Sequence, residues 1–357
     1  ILRLPGFFRE EKVAHDRAME LLEIFGMQDL ADALQVSRIT VWKALTNRPG
    51  VSDKLRRTVQ DKAAEMGYVQ TDHPSPRGKS GYTFSAVVSR PESSVFWMQI
   101  IHHFAKELAA HGISLMYTYM PTSYQPGYEL PASLDGERVD GFVVLNVYSR
   151  EMLSLLAQSP LPKVFLDSLP SLPGSALGGD LVMLEGRACI REITGRLLDR
   201  GYRRLGFVGD VNYATTNRDR YQGFVDAHGE RGLAPEEALC MKGPIGLRSH
   251  YEEISHFLGG LPALPDAFVC PSDFIAHYIQ RYLTERGVPE DAAPILTGFD
   301  NNTEYANVAG KITTVDVDTA ALGKRLARQL IYRADFPRAP LETTYVTGRI
   351  LYQEPLK

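Results

Sequence analysis

The chain has 357 residues, 44% hydrophobic and 23% charged, enough for two or three lobes with full cores, and its net charge of −4 argues at first sight against a nucleic-acid partner. No run of about eighteen or more apolar residues occurs and no basic-then-apolar leader opens the chain, so neither a membrane span nor a secretory signal is expected. Cys189, Cys240 and Cys270 are odd in number and lack metal spacing; they read as reduced core thiols of a cytoplasmic protein without a metal or other cofactor.

In chain order, residues 1–26 form an extension in which Val13, Met19, Leu21, Leu22, Ile24 and Phe25 suit one face of an amphipathic helix. It is either a frayed preface or a helix that packs on the next unit of the chain or on a partner. Residues 27–70 predict a small three-helix unit. Leu30, Ala31 and Leu34 share one face of a first helix over Gln28–Leu34, which breaks at Gln35-Val36. Ser37 caps a second helix, Arg38–Leu45, with Val41, Ala44 and Leu45 inward. After a loop, Ser52 caps a third helix, Asp53–Met66, which Gly67 ends. Two short helices across so tight a turn have helix-turn-helix spacing, in which the second helix enters the major groove of DNA. Charge agrees once its distribution is read. From Ser37 to Gly81 nine basic residues face four acidic ones, a surplus of five positive charges, so the rest of the chain carries −9.

The head closely resembles that of the lactose-repressor/galactose-repressor (LacI/GalR) family of bacterial transcription regulators. The matching positions are Asp29-Leu30-Ala31, Val36-Ser37, Thr40-Val41, Leu45, Asn47, Val51-Ser52, Arg56, Val59 and Glu65-Met66-Gly67-Tyr68. The resemblance implies that Arg38, Ile39 and Lys43 reach base edges, while Ser37, Thr40 and Asn47 hold phosphates. Trp42 stands where the family has a small residue. Residues 71–81 are a Pro- and Gly-rich hinge linker. The family places there a helix whose leucine wedges into the minor groove. Pro74 and Pro76 oppose such a helix, and the wedge position falls on Arg77, so weaker DNA bending is expected. Arg77 and Lys79 either enter a narrow minor groove or are solvated charges on a tether.

Residues 82–357 alternate strand-like and helical patterns. Strands are expected at Phe84–Val88, Ser114–Tyr119, Gly141–Leu145, Lys163–Asp167, Arg204–Val208, Ala267–Cys270, Pro294–Phe299 and Ile312–Val317. Helices are expected at Trp97–His111, Arg187–Arg200, Arg220–Glu230, Asp273–Arg286 and Thr319–Tyr332. Such alternation means parallel sheets flanked by helices, an α/β fold. Together with the head it resembles the family's two-lobed, periplasmic-binding-protein-like core, hinged around Leu161–Gly209 and again near the carboxyl end. The family architecture implies a homodimer on a near-palindromic operator and a cleft for a small effector, most commonly a sugar or sugar derivative.

Ligands of open α/β sheets bind beyond the carboxyl ends of the strands. Phe96 and Trp97 follow the first strand and are either cleft aromatics or core. Arg220 matches the arginine of the family's E-R-x-x-G-F in Arg218-Asp219-Arg220-Tyr221-Gln222-Gly223-Phe224, and Arg218 reads as a solvated charge. The resemblance implies that Arg220 donates paired hydrogen bonds to the effector from a cleft rim. Asp300 matches the acidic end of G-F-D-D. The expectation is that Arg220 and Asp300 come from opposite lobes and that both can be lost without harm to the fold. Asp273 either binds effector or caps its helix, and Ser272 replaces an asparagine that often binds ligand in the family. Asn146 and Asp167 also stand at strand ends. No catalytic motif is found: there is no G-x-S-x-G, phosphate loop or H-E-x-x-H, His102-His103 cannot share a metal, and Asp210 reads as turn chemistry. A non-enzymatic regulator is therefore expected, the alternative being a solute-binding protein with a vestigial head.

Overall fold

A computed structural model describes residues 31–45, 50–65, 81–89, 94–246 and 249–356. The extension 1–26, the start of the first head helix, Asn47, the linker residues 71–80 with Pro74, Pro76 and Arg77, and the side chains of Arg38 and Ile39 lie outside the described residues. The chain divides into two compact units, Ile1–Arg77 and Gly78–Lys357.

In the first unit, residues 31–34 are helical, and Gln35 takes a left-handed φ of 53° that ends the turn. Val36 N–H donates back to Ala31 O at 3.0 Å, which closes the break. Helix α1 (Arg38–Leu45) starts at Ser37, whose hydroxyl accepts from Thr40 N–H at 3.1 Å. Helix α2 (Asp53–Glu65) starts in the same way, with Leu55 N–H donating to Ser52 Oγ. Ala31, Val41, Ala44 and Val59 are the buried centre, with Leu34, Val36, Val51 and Leu55 around them. Arg56 on α2 donates to Lys43 O and Ala44 O at 3.1 and 3.3 Å, satisfying carbonyls that the end of α1 leaves open.

The second unit is two α/β lobes. The amino-terminal lobe contains β1 (Thr83–Val88), α3 (Val95–Ala110), β2 (Ser114–Tyr119), β3 (Gly141–Leu145), α4 (Arg150–Gln158), β4 (Lys163–Leu166) and β5 (Asp180–Glu185). The carboxyl-terminal lobe follows with α5 (Arg187–Asp199), β6 (Leu205–Val208), α6 (Thr215–Gly229), β7 (Cys240–Met241), α7 (His250–Gly259), β8 (Ala267–Val269), α8 (Asp273–Glu285), β9 (Ile295–Thr297) and β10 (Thr314–Asp316). The chain then returns through α9 (Thr319–Asp335) and β11 (Thr343–Thr347), and ends with β12 (Arg349–Leu351). The first sheet is parallel, in the order β11-β5-β4-β3-β1-β2. The second is parallel, in the order β7-β6-β8-β9, and β10 pairs antiparallel with β12.

Strands β1, β3 and β4 are almost wholly buried because helices cover both faces, which explains their unbroken apolar runs. Helices α3 and α9 pack on one face. They approach so closely that a Cβ at Gly323 would lie 2.7 Å from Ile100 O. Met152, Leu153 and Leu156 of α4 fill the other face. The lobes are joined by three strands of chain, between β5 and α5, between β10 and α9, and between β11 and β12. Two of these carry glycine where a side chain has no room. A Cβ at Gly186 would lie 2.7 Å from Arg220 Cγ, and one at Gly348 would lie 2.5 Å from Val315 Cγ1. The first crossing therefore narrows the expected hinge from Leu161–Gly209 to Gly186. Strands β5, β7, β11 and β12 and helices α4 and α7 were not expected from sequence.

Candidate functional site

The carboxyl ends of the strands in both lobes face a cavity of about 400 Å³. Four of the five non-glycine residues with positive φ among the described residues stand there: Asn146 (55°) after β3, Asp167 (67°) after β4, and Asp300 (98°) and Asn301 (49°) after β9. Asn and Asp tolerate this region best, and strained backbone of this kind concentrates at ligand sites.

Phe96, Asn146, Arg220 and Asp300 all line the cavity. Phe96 is only 9% exposed and meets Trp97 edge to face at 5.5 Å, so it belongs to core and cavity wall together. Asn146 Nδ2 donates to Ser89 O at 2.9 Å, which fixes the amide at the floor. Arg220 differs from expectation in two respects. It projects from α6, which follows β6, while Asp300 follows β9 of the same sheet; both belong to the carboxyl-terminal lobe. Nor is Arg220 at a wet rim, being 5% exposed. Its guanidinium carbon lies 3.6 Å over the Phe299 ring, and Nη1 donates to Pro271 O at 2.6 Å. Nη2 stands 3.9 Å from Asp300 Oδ1, and the buried Nε meets no described partner. Burial pushes the Asp300 carboxyl up, and the Arg220 cation pulls it part of the way back.

Asp273 does not line the cavity. Ser272 caps α8 by accepting from Ile275 N–H. The Asp273 carboxylate turns behind the loop after β9, where it accepts from Thr314 Oγ1 and from Asn302 N–H, both at 2.7 Å. It fits there because residue 298 is glycine: a Cβ on Gly298 would lie 2.0 Å from Asp273 Oδ1. Burial, and then the nearby Asp300 charge, push the Asp273 carboxyl up to about 7 against the bonds it accepts. Asp167 is buried and lines the cavity. It accepts from Thr216 Oγ1 at 2.6 Å, Ser168 N–H at 2.7 Å and Tyr148 OH at 3.2 Å. Burial pushes both the Asp167 carboxyl and the Tyr148 phenol up. Asp210 makes the expected turn, accepting from Asn212 N–H, and also lines the cavity.

Sequence reading missed an aromatic wall on the carboxyl-terminal lobe. Phe274 and Tyr278 are one helical turn apart on α8, with ring centres 4.8 Å apart, and His250 packs 4.9 Å from Phe274. Tyr305 closes the group at 5.8 Å from Phe274. The i, i+4 spacing of two aromatics at a helix start just past a strand end was the available signal. Among the described residues no cluster suits a metal ion, and no helix is long and apolar enough to cross a membrane.

The model of the periplasmic-binding-protein-like domain matches residues 194–353. The HTH-type transcriptional repressor PurR of Mannheimia succiniciproducens is 27% identical over 343 residues, spanning 93% of this chain and 98% of its own. The likeness thus takes in nearly the whole chain, head and both lobes included. Along nearly its whole length the chain is similar to HTH-type transcriptional regulators. The HTH-type transcriptional regulator CelR of Thermobifida fusca is 25% identical over 312 residues, 84% of this chain and 88% of that one. Solved structures of transcriptional regulators share the fold. A CelR-cellobiose complex superposes with a TM-score of 0.66 at 22% identity, covering 92% of this chain and 98% of that one. The lac repressor dimer bound to operator and the anti-inducer ONPF gives 0.62 at 18% identity, with the same coverage.

Proposed function

We propose that the protein is a dimeric, DNA-binding transcriptional repressor whose operator affinity is set by a small saccharide effector held between its lobes. The observation that carries the reading is the cleft itself. Asn146 and Asp167 face Arg220 and Asp300 across a cavity whose wall also carries the aromatic rings of Phe96, Tyr148, Phe274, Tyr278 and Tyr305. Carboxylates and amides accept and donate to hydroxyls, and aromatic faces take the apolar face of a sugar ring. Arg220 is already committed to Pro271 O and Asp300, so it acts on the effector chiefly by orienting Asp300 at the cavity wall. Asp167, Asp210 and Asp300 outnumber it, which favours a neutral polyhydroxyl over a phosphate or carboxylate. The cellobiose in the CelR complex is consistent with this chemistry.

In the head, Arg38, Ile39 and Lys43 read bases, while Ser37, Thr40 and Asn47 take phosphates. Ser37 Oγ accepts from Thr40 N–H and shares a 2.8 Å hydrogen bond with Thr40 Oγ1, so one of the two hydroxyl protons is left for a phosphate oxygen. Arg77 enters the minor groove from the linker. For the dimer, β2 offers an open sheet edge on which Tyr117 and Tyr119 are 51% and 60% exposed, and Met98 on the neighbouring α3 is 46% exposed. A gel shift against genomic fragments, repeated with a panel of neutral saccharides, sugar phosphates and purines, tests the reading. It predicts a discrete retarded complex that only neutral saccharides shift. No sequence-selective complex, or a response confined to anions or purines, would overturn it.

A further inference from the structure

The cavity is bracketed by two contacts between lobes. At one end Glu304, in the loop after β9, accepts at 3.2 Å from the backbone N–H of Val95, the first residue of α3 in the opposite lobe. At the other end Asp167, after β4, accepts at 2.6 Å from the hydroxyl of Thr216 and at 3.4 Å from its N–H. Thr216 is the second residue of α6, again in the opposite lobe. That helix has no side-chain cap of its own, since its cap position is Ala214. The first N–H groups of a helix lack partners within it and carry the positive end of its dipole, so a carboxylate is the group they bind best. Each lobe therefore caps a helix of the other.

We propose that Asp167 and Glu304 are positioning residues of the cleft, with the Asp167 end serving as the pivot and the Glu304 end as the mouth through which the effector passes. The proposal rests on the effector reading only for what passes through. The two ends are unequal. Asp167 is buried, and around it Thr215 N–H donates to Ser168 O at 2.7 Å. Arg218 Nη1 donates to Pro170 O at 3.2 Å, and the Tyr148 and Tyr213 rings meet at 4.5 Å. All of these contacts join the two lobes. At the other end Glu304 and Val95 are both exposed, and the charged hydrogen bond found there among the described residues is screened by water and salt. An opening motion takes the weaker end first. The residues next to this latch are Phe96 on α3 and Tyr305 after Glu304, both in the cavity wall, so an entering ring meets aromatic faces at once.

Amide hydrogen exchange on the full-length protein, with no ligand added, reads the two ends separately. In the wild type, protection at Val95–Phe96 should be at least tenfold lower than at Thr215–Thr216. Glu304→Ala should lower protection a further several-fold at Val95–Phe96 and leave Thr215–Thr216 unchanged, and Glu304→Gln, which keeps an acceptor, should restore most of it. Asp167→Ala should lower protection at both ends, while amides of β1 and β6 report that the lobes stay folded. If Asp167→Ala unfolds the lobes, Asp167→Asn carries the same comparison. Loss confined to Thr215–Thr216 in the Asp167 variant, or equal loosening of both ends in Glu304→Ala, overturns the proposal. Because no effector enters the experiment, its failure leaves the effector reading standing, and the reverse holds too.

Discussion

Arg220 combines two tasks that sequence reading had kept apart. Its contacts with Pro271 O, Asp300 and the Phe299 ring are internal, so truncation removes structure as well as recognition. Arg220→Ala should lower unfolding stability by about 1–3 kcal/mol, the usual loss when a buried charged hydrogen bond is removed. Arg220→Lys keeps the cation but not the planar fork, and should retain the fold while weakening effector binding about tenfold. Calorimetry of both variants with an active saccharide separates the effects; an Ala variant as stable as wild type would show that the buried contacts contribute little. Asp273 makes a pH prediction. Its carboxyl lies near 7 in the folded protein against an ordinary 3.8, so the folded state binds the proton more tightly. The stabilisation this gives is complete below about pH 4 and is lost as pH rises through about 7, on the order of a few kcal/mol. Asn mimics the protonated form, with its oxygen toward Asn302 N–H and its amide toward Thr314. Thermal unfolding of Asp273→Asn should therefore lose less stability than wild type between pH 4 and 7.5. Parallel pH profiles would contradict the assignment.

At the scale of elements, legibility followed how local the determinants are. The head helices were placed closely because Ser37, Ser52 and the Gln35 turn act within three or four residues of the backbone they serve. The start of α6 was placed at Arg220, five residues late. Thr215, Thr216 and Asn217 are poor helix formers, and the cap that holds them comes from Asp167 in the other lobe, a partner no local pattern reveals. Strand β11 was missed for a similar reason: its exposure alternates, and its sheet partner among the described residues, β5, lies more than 150 residues earlier. Of the residues that line the cavity, Phe96 and Asn146 were legible from strand ends and Arg220 and Asp300 from the motifs they match, whereas the withdrawal of Asp273 depends on the space left by Gly298. The head offers its own test. Arg56 holds the last carbonyls of α1, so Arg56→Ala should weaken operator binding by about 1 kcal/mol on every sequence. Arg38→Ala should instead cost about 1–3 kcal/mol concentrated at one base pair. Competition binding on a set of singly substituted operators distinguishes the two, and a uniform loss with Arg38→Ala would remove it from the base-reading set.

At the scale of the whole molecule, a helix-turn-helix head and a two-lobed cleft in one chain matter only if their ligands are coupled. An effector alters operator affinity by as much as it distinguishes the DNA-competent arrangement from the other, commonly about 1–3 kcal/mol or roughly 5- to 150-fold. The direct measurement is fluorescence anisotropy of a labelled operator titrated with protein, with and without the saccharide found active in the panel, for wild type and Arg220→Lys. The account predicts that the saccharide changes wild-type operator affinity at least fivefold. Arg220→Lys should bind operator equally well without effector and need about ten times more saccharide for the same change. A saccharide that binds the wild-type protein but leaves operator affinity unchanged, or an Arg220→Lys variant that responds at wild-type concentrations, would contradict it.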